Sequence, residues 1–415
     1  MLATLRQRNF TLLWLGSLIS LTGDWLLRIG LPIYIYILTG SALQTGIMFI
    51  AGNIPMLFSS FAGVLVDRWD RRRTMIVCTL LQAVGLLPLL LVHNQNSLWI
   101  IYTVQFLEAC LSLVTLPAES ALIPLLVSED LLIPANALRS VSQNASRLLG
   151  AAAGGLLVGI LGLGGIALVD SLSFLFVGLM LVLIRMAALP QAEHAPPSTI
   201  PLYWKSLFQE WREGIQLIFQ QRALKVIVLV IALQSIGEGV FGVLIVVFVE
   251  HVLGYGASVY GFLSSIQAIG SLAGGVLIGN LGNRFAPAKL LGICLALFGL
   301  IDLIIIDIPF VLPGLFIIGL LFALVGIPGT GIVVGANSLL QTLVENKIRG
   351  RVFGAFLAIE GLASLAGMGL ASLFGDRLGA TLMLNIQGSV YILAGLLVLV
   401  NLAFLSTTYS LATNK

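Results

Sequence analysis

Charged residues are scarce in this chain. Only 9% of its 415 residues are Asp, Glu, Lys or Arg, whereas 59% are hydrophobic and the mean hydropathy is +1.07. Soluble domains carry roughly 25% charged residues. This composition excludes a soluble globular protein and predicts a chain that lies almost entirely within a membrane.

Cysteine and histidine are also rare, with three of each. Cys78, Cys110 and Cys294 each lie in an apolar run without a nearby cysteine or histidine, so we expect neither disulfides nor a metal site. The net charge is only +3 and the basic residues cluster by loop, which excludes a nucleic-acid-binding face. No glycine-rich stretch continues into the Lys and Ser/Thr of a nucleotide-binding loop. We therefore expect no cofactor and no enzymatic activity.

Long apolar runs make up most of the chain. A bilayer-spanning helix needs about 20 such residues, and none of the runs shows the alternating pattern of barrel strands. Breaks at polar, Gly or Pro residues separate twelve runs, at 10–37, 43–66, 74–92, 98–124, 138–161, 165–187, 223–249, 258–282, 288–306, 312–340, 352–374 and 381–407. The sequence therefore predicts an all-α integral membrane protein with twelve transmembrane helices.

One break, at about 188–222, is much longer than the others and begins with several prolines. It predicts three parts: an N-terminal six-helix bundle (1–189), a cytoplasmic linker (190–221) and a C-terminal six-helix bundle (222–415). Apolar side chains at helical spacing between Leu207 and Phe219 indicate an amphipathic helix at the membrane surface, with a solvated tether as the alternative. Because Lys and Arg concentrate in the linker, the even-numbered loops and the chain ends, we expect both termini in the cytoplasm.

A short motif follows the second predicted span and returns, in weaker form, after the eighth. A constant offset of 216 relates the two copies, which indicates two six-helix units of the same orientation. Duplicated helical units of this kind are a transporter design, with the substrate bound between them. The first copy comprises Gly63, Leu65, Asp67, Arg68, Arg71, Arg72 and Arg73, and the second includes Gly279, Asn283 and Arg284.

These residues resemble the signature of the major facilitator superfamily, and the resemblance extends over essentially the whole chain. In that family the motif belongs to a cytoplasmic gate; here Asp70 replaces its usual glycine. The fifth span resembles the glycine pattern of the antiporter branch through Gly150, Gly154 and Gly155, although Ala151 stands where proline is usual. The segments GDWLLRIGLPIYIYILTGSAL, DRWDRRR and IRGRVFGAF most resemble the macrolide-efflux and enterobactin-exporter branch.

Few ionisable side chains stand out within the predicted spans: Asp24 and Arg28 in the first, Glu108 in the fourth, Glu238 in the seventh and Glu360 in the eleventh. Each costs at least about 2.5 to 3.5 kcal/mol at a helix centre, so we expect it to be functional or paired. The four-residue spacing of Asp24 and Arg28 allows them to bond, either as cavity charges or as a purely structural pair.

The resemblance implies that the first, fourth, seventh and tenth helices line the cavity, which places Asp24, Arg28, Glu108 and Glu238 there. No Lys or Arg lies within ten residues of Glu238, so burial favours proton binding at this site, and we expect it to couple transport to protons. An acid bonded to a neighbouring helix that never titrates is the alternative. Asp24, Glu108 and Glu360 are the other coupling candidates, Arg28 is the charge partner, and Asp302 has no role in this scheme.

The sequence thus predicts a secondary transporter of the cell membrane that works by alternating access. We expect a monomer that exports an amphipathic organic compound, such as a drug, a macrolide or a siderophore-like molecule, in exchange for protons. A lipid or lysolipid translocator of the same fold, and a transporter-like sensor that moves nothing, are the alternatives.

The loop charges predict which side of the membrane each loop faces. After removal of Cys78, Cys110 and Cys294, a cysteine at position 209 should react only with reagents that reach the cytoplasmic face. A cysteine at position 95 should react from outside. Labelling of both variants after detergent denaturation controls for reactivity, and external labelling at position 209 would contradict the predicted topology.

Overall fold

A computed structural model describes residues 2–58, 69–185, 212–281, 285–312, 314–344 and 348–401. These residues are almost entirely helical, and ten of their helices are long and apolar enough to cross a membrane. The predicted all-α membrane fold is confirmed at this level, while the count of twelve helices stays a prediction. The helices are α1 (Arg8–Thr39), α2 (Ala42–Asn53), α3 (Arg71–Gly85), α4 (Leu98–Leu126), α5 (Leu132–Leu183), α6 (212–220), α7 (Arg222–Val247), α8 (Ala257–Leu281), α9 (Pro287–Asp307), α10 (Leu315–Leu343), α11 (Arg349–Leu378) and α12 (Ala380–Val400).

The longest helix, α5, contains a sharp kink at Gly162, where φ is 66° and ψ is −177°. Side chains larger than hydrogen disfavour this backbone conformation, so glycine suits the position. The kink lies between the fifth and sixth predicted spans and separates two helical arms, 132–161 and 163–183. Near the second predicted span, α2 and the turn after it form a shorter apolar helix, Ala42–Phe58.

The contacts divide the chain into two compact units. The first contains residues 1–194 and 249–265. Within it α1 packs along α5, and α3 packs against both α4 and α5. Its main apolar core includes Phe10, Leu13, Leu122 and Leu181, each at most 2% exposed.

The second unit contains residues 195–248 and 266–415. Here α7 packs against α11 and α12, while α9 packs against α10 and α12. Ile227, Leu291, Leu295 and Leu340 are fully buried in its core. Because lipid tails are as apolar as these side chains, close packing between helices holds each unit together.

The short helix α6 covers the described part of the predicted amphipathic segment. Its Ile218 is fully buried in the core of the second unit, whereas Phe219 is 61% exposed. Glu213 forms an ion pair with Arg351 at the start of α11, with 2.8 Å between Oε2 and Nη1. The helix is therefore docked on α11; Leu207 and the rest of the linker before residue 212 lie outside the described residues.

The glycines of the antiporter-like pattern lie where α5 meets other helices. A β-carbon at Gly154 would lie 2.9 Å from the carbonyl oxygen of Leu26 on α1, and one at Gly150 would meet Trp25. Gly155 lies against Gly261, where a β-carbon would come within 3.1 Å of the Gly155 backbone. Small residues at such positions let helix backbones approach closely.

The contact of Gly154 with α1 predicts that alanine has different effects on stability at Gly154 and at Gly159, which lie on the same helix. Gly154→Ala should lower stability by about 1 to 3 kcal/mol, because the new methyl group would press on the α1 backbone. Gly159 has open space around it, so Gly159→Ala should be neutral or stabilise the helix by up to about 1 kcal/mol. Thermal unfolding in one detergent measures both, and equal melting temperatures would contradict the packing assigned to Gly154.

Candidate functional site

Asp24 and Arg28 lie on α1 with exposed side chains, although they are in the middle of an apolar helix. No ion pair within 4 Å joins these two described residues, although their four-residue spacing allows one. Instead, the Arg28 guanidinium lies over the ring of Trp25, 4.8 Å from its centroid. Arg147 of α5 approaches the same ring at 5.6 Å. Cation–π contacts on Trp25 therefore hold Arg28.

A buried acid that is not among the sequence-based candidates, Asp170, lies beside this face of α1. Its side chain is only 1% exposed, and its Oδ1 contacts Gly23 and accepts a hydrogen bond from Ser173 Oγ at 3.0 Å. Asp24 and Glu108 are near enough to interact with it electrostatically. The sequence signal for Asp170 is its position inside the predicted span 165–187, by the same criterion that selects Asp24.

Glu108 of α4 faces α3 and forms no ion pair with Arg28. Its Oε1 would lie 3.1 Å from a β-carbon built at Gly85. This oxygen is buried and accepts no hydrogen bond from the described part of the chain. The described contacts therefore do not link Glu108 to Arg28.

A second acid outside the sequence-based candidates, Glu119 of α4, does have a cationic partner. Its Oε1 lies 3.6 Å from Nε of Arg139 on α5 and accepts a hydrogen bond from Ser17 of α1 at 3.1 Å. Both charged side chains are mostly buried. This group ties three helices of the first unit together.

Glu238 of α7 is exposed and belongs to a chain of polar contacts in the second unit. Its Oε2 accepts a hydrogen bond from the side-chain amide of Gln234 at 3.1 Å. The backbone carbonyl of Gln234 in turn accepts a hydrogen bond from the Tyr391 hydroxyl at 2.9 Å. The Tyr391 ring is buried against Gly237 and lies 5.6 Å from the Phe298 ring. Glu238 thus has polar partners that its apolar sequence neighbourhood does not reveal.

The described part of the gate motif consists of the arginines at the start of α3. Asp70 caps this helix by accepting a hydrogen bond from the Arg73 amide at 2.7 Å. Arg72 donates to two carbonyls in the last residues of α5, each at 2.8 Å, and Arg71 donates to a backbone carbonyl of α4 at 3.2 Å. The arginines therefore satisfy backbone oxygens of two neighbouring helices, including the end of α5, where carbonyls lack helical partners.

The remaining predicted positions make fewer contacts. Glu360 is partly buried on α11, and Gly279 lies on α8 with open space around it. Within the described ranges, no group of three or more His, Cys, Asp or Glu side chains is arranged to hold a metal ion. The motif residues outside the described part of the chain are Gly63, Leu65, Asp67, Arg68, Asn283 and Arg284.

Comparison with known proteins gives consistent matches over nearly the full length. A family model described as transmembrane secretion effector matches residues 1–412. Macrolide efflux protein A of Streptococcus pyogenes is 26% identical over 393 residues, covering 92% of this chain and 93% of the relative. The multidrug resistance protein MdtG of Salmonella paratyphi C is 26% identical over 383 residues, 87% of each chain. An uncharacterized MFS-type transporter of Bacillus subtilis, YfiS, is 25% identical over 409 residues, 95% of this chain and 93% of the relative.

Solved structures share the fold. A bacterial homologue of the iron transporter ferroportin, in an inward-facing state, matches with a TM-score of 0.75 and 17% identity over 94% of this chain and 98% of that one. A POT family transporter in complex with 5-aminolevulinic acid matches with a TM-score of 0.73 and 15% identity over 96% of each chain. At these identities the likeness establishes the fold alone.

Asp170 and Glu119 should respond differently when each is replaced by its neutral amide. Asp170→Asn should leave stability unchanged or raise it, because the amide keeps an acceptor for Ser173 and replaces a buried acid that has no cation within 4 Å among the described residues. Glu119→Gln should lose about 1.5 to 3 kcal/mol, because Arg139 loses its charged acceptor. Melting temperatures in one detergent at neutral pH compare the two. A large loss for Asp170→Asn would mean that Asp170 pairs with a cation.

Proposed function

We propose an export function for this chain from one premise: it belongs to the transmembrane secretion effector family of the major facilitator superfamily. The predicted membership is confirmed, as is the likeness to the macrolide-efflux branch. The chain is therefore a multi-pass membrane transporter and not an enzyme. Its substrate, its coupling ion and its organisation in the membrane are matters of proposal.

The substrate we propose is an amphipathic organic compound, such as a macrolide, another drug or a siderophore-like molecule. The names of the relatives from Streptococcus and Salmonella support this class, since they describe macrolide efflux and multidrug resistance. We propose that the chain acts as a monomer in the cell membrane, with both termini in the cytoplasm. Its twelve helices would form two six-helix halves, 1–189 and 222–415, joined by the linker 190–221.

The observation that carries the proposal is the exposure of charged side chains in the middle of apolar helices. Asp24, Arg28 and Glu238 are all exposed although their helices are long enough to cross the bilayer. Contact of a charged group with lipid tails is costly, so such residues normally face water or other helices. A water-filled passage that reaches these side chains would hydrate them and give the substrate a route.

Within this passage we propose that Glu238 carries the coupling proton. It lies in an apolar helix, where it accepts a hydrogen bond from a neutral amide, Gln234. A carboxyl group in such surroundings can exchange a proton when the passage opens to either side. Asp24 and Glu108, with Asp170 beside them, form the acidic group of the first unit, and Glu360 remains a further candidate.

The first experiment identifies the substrate. Inside-out vesicles containing the protein are given a proton gradient and screened with macrolides, siderophores and lysolipids. Gradient-dependent uptake of a macrolide or siderophore supports the proposal. Uptake of lysolipids alone would replace it with the lipid-translocation alternative, and uptake of none of these classes would remove the basis for the proposed substrate.

The test of coupling compares two modes of transport in reconstituted protein. With one proton exchanged per substrate, a one-unit pH gradient supplies about 1.4 kcal/mol, or roughly tenfold accumulation. Glu238→Gln should lose this accumulation and keep exchange of substrate down its own gradient, because exchange needs no net proton movement. Glu129→Gln, which changes an exposed acid between α4 and α5, should keep both modes. Retained, pH-dependent accumulation by Glu238→Gln would place coupling at Asp24, Glu108, Glu360 or Asp170.

A further inference from the structure

Asp302 of α9 and Gln387 of α12 form a buried polar pair that the proposed mechanism does not use. Their side chains are 2% and 4% exposed. Gln387 Nε2 donates a hydrogen bond to Asp302 Oδ2 at 3.0 Å. The other end of the amide, Gln387 Oε1, is buried and receives no hydrogen bond from the described part of the chain. An unmet acceptor in an apolar core is costly, so this oxygen calls for a donor.

Among the residues that the structure describes, no cationic side chain lies within 4 Å of the Asp302 carboxyl group. The helices that pack against α9 are α10 and α12, and neither contains Asp, Glu, Lys, Arg or His. On α9 itself, Lys289 lies thirteen residues before Asp302, about 20 Å along the helix, and Asp307 is bonded to Asn385. The titratable groups near enough to act on Asp302 from other helices are Tyr391 and Glu238. An ionised Asp302 would therefore be a buried charge beside another acid.

A single proton on Asp302 would both supply a donor for Gln387 Oε1 and remove the buried negative charge. An ionised carboxylate only accepts hydrogen bonds, whereas a carboxylic acid also donates one through its O–H. In an acid–amide ring, the amide N–H donates to the acid carbonyl and the acid O–H donates to the amide carbonyl. The first of these bonds is present between Gln387 and Asp302. The second would satisfy Gln387 Oε1 and leave no charge in the core.

We propose that Asp302 carries a proton at neutral pH in a closed acid–amide pair with Gln387, and that this pair keeps the polar network behind Glu238 free of a second charge. A side-chain hydrogen bond continues the network from Gln387 to Tyr391, one helical turn later, and two further bonds continue it through Gln234 to Glu238. Glu238 can then gain and lose its proton without a negative charge on Asp302. The protonation of Asp302 stands on the geometry alone, whereas its importance for transport rests on the function proposed above.

Infrared difference spectroscopy of purified protein tests the protonation. At neutral pH, the spectrum of the wild type minus that of Asp302→Asn should show one protonated carboxyl band. In Gln387→Met this band should remain and move to higher frequency, because the acid carbonyl loses its amide donor. If Asp302→Asn fails to fold, protein carrying isotope-labelled aspartate provides the same comparison through Gln387→Met. A carboxylate band pair in place of the acid band would overturn the proposal.

A second measurement tests the effect on Glu238 without requiring a transport substrate. The wild type minus Glu238→Gln spectrum, recorded across pH, gives the titration midpoint of Glu238, and the same subtraction is made in the Asp302→Asn background. Exchange of a neutral acid for a neutral amide should leave this midpoint unmoved. A fall of about one pH unit or more would mean that Asn had removed a negative charge, which overturns the proposal.

Transport supplies the third readout once a substrate is known. Asp302→Asn should keep proton-driven accumulation with the wild-type pH profile, unlike Glu238→Gln. Loss of accumulation with retained exchange would make Asp302 itself a coupling group and overturn its assignment as permanently protonated. If the wild type transports none of the screened compounds, the export function fails while the two spectroscopic results still decide the state of Asp302.

Discussion

The cost of placing a charge among apolar helices governs the arrangement of every ionisable side chain in the membrane-spanning part of this protein. Three solutions to that cost occur among the residues that the structure describes. Asp24, Arg28 and Glu238 remain exposed, Glu119 pairs with Arg139, and Asp302 lies buried against an amide. The three arrangements have different consequences. Exposed acids can exchange protons with water, and a paired acid holds helices together. A buried acid without a cation is stable only when it is neutral.

Each unit repeats one local design around its first long helix. In the first unit the pair Gly23–Asp24 places the glycine against Asp170, and in the second the pair Gly237–Glu238 places the glycine against Tyr391. The missing side chain makes room for a polar group directly behind an exposed acid. The two units thus share a local arrangement, although a carboxyl group fills the space in the first and a phenol fills it in the second.

The sequence predicts well those features that are properties of one helix at a time. Bilayer thickness sets the length of apolar runs, so the runs locate the helices, and the break near Gly162 is visible as a gap between two runs. Gly154 is recognisable because close helix approach requires a small residue wherever the partner lies. Partners across helices are harder to predict, since they depend on how each helix is rotated. The contacts of Gln387 with Asp302 and of Asp170 with Gly23 follow from such rotations. Spacing alone also misleads at Asp24 and Arg28, because the Trp25 ring competes for the guanidinium.

The kink at Gly162 makes the second arm of α5 sensitive to the exact number of residues in it. Asp170 lies eight residues after the kink, and a helix turns by about 100° for each residue. One residue inserted or deleted between Gly162 and Asp170 would swing the carboxyl group away from Gly23 and present Val169 or Ser171, respectively, in its place. Evolution can therefore substitute residues in this stretch far more freely than it can change its length.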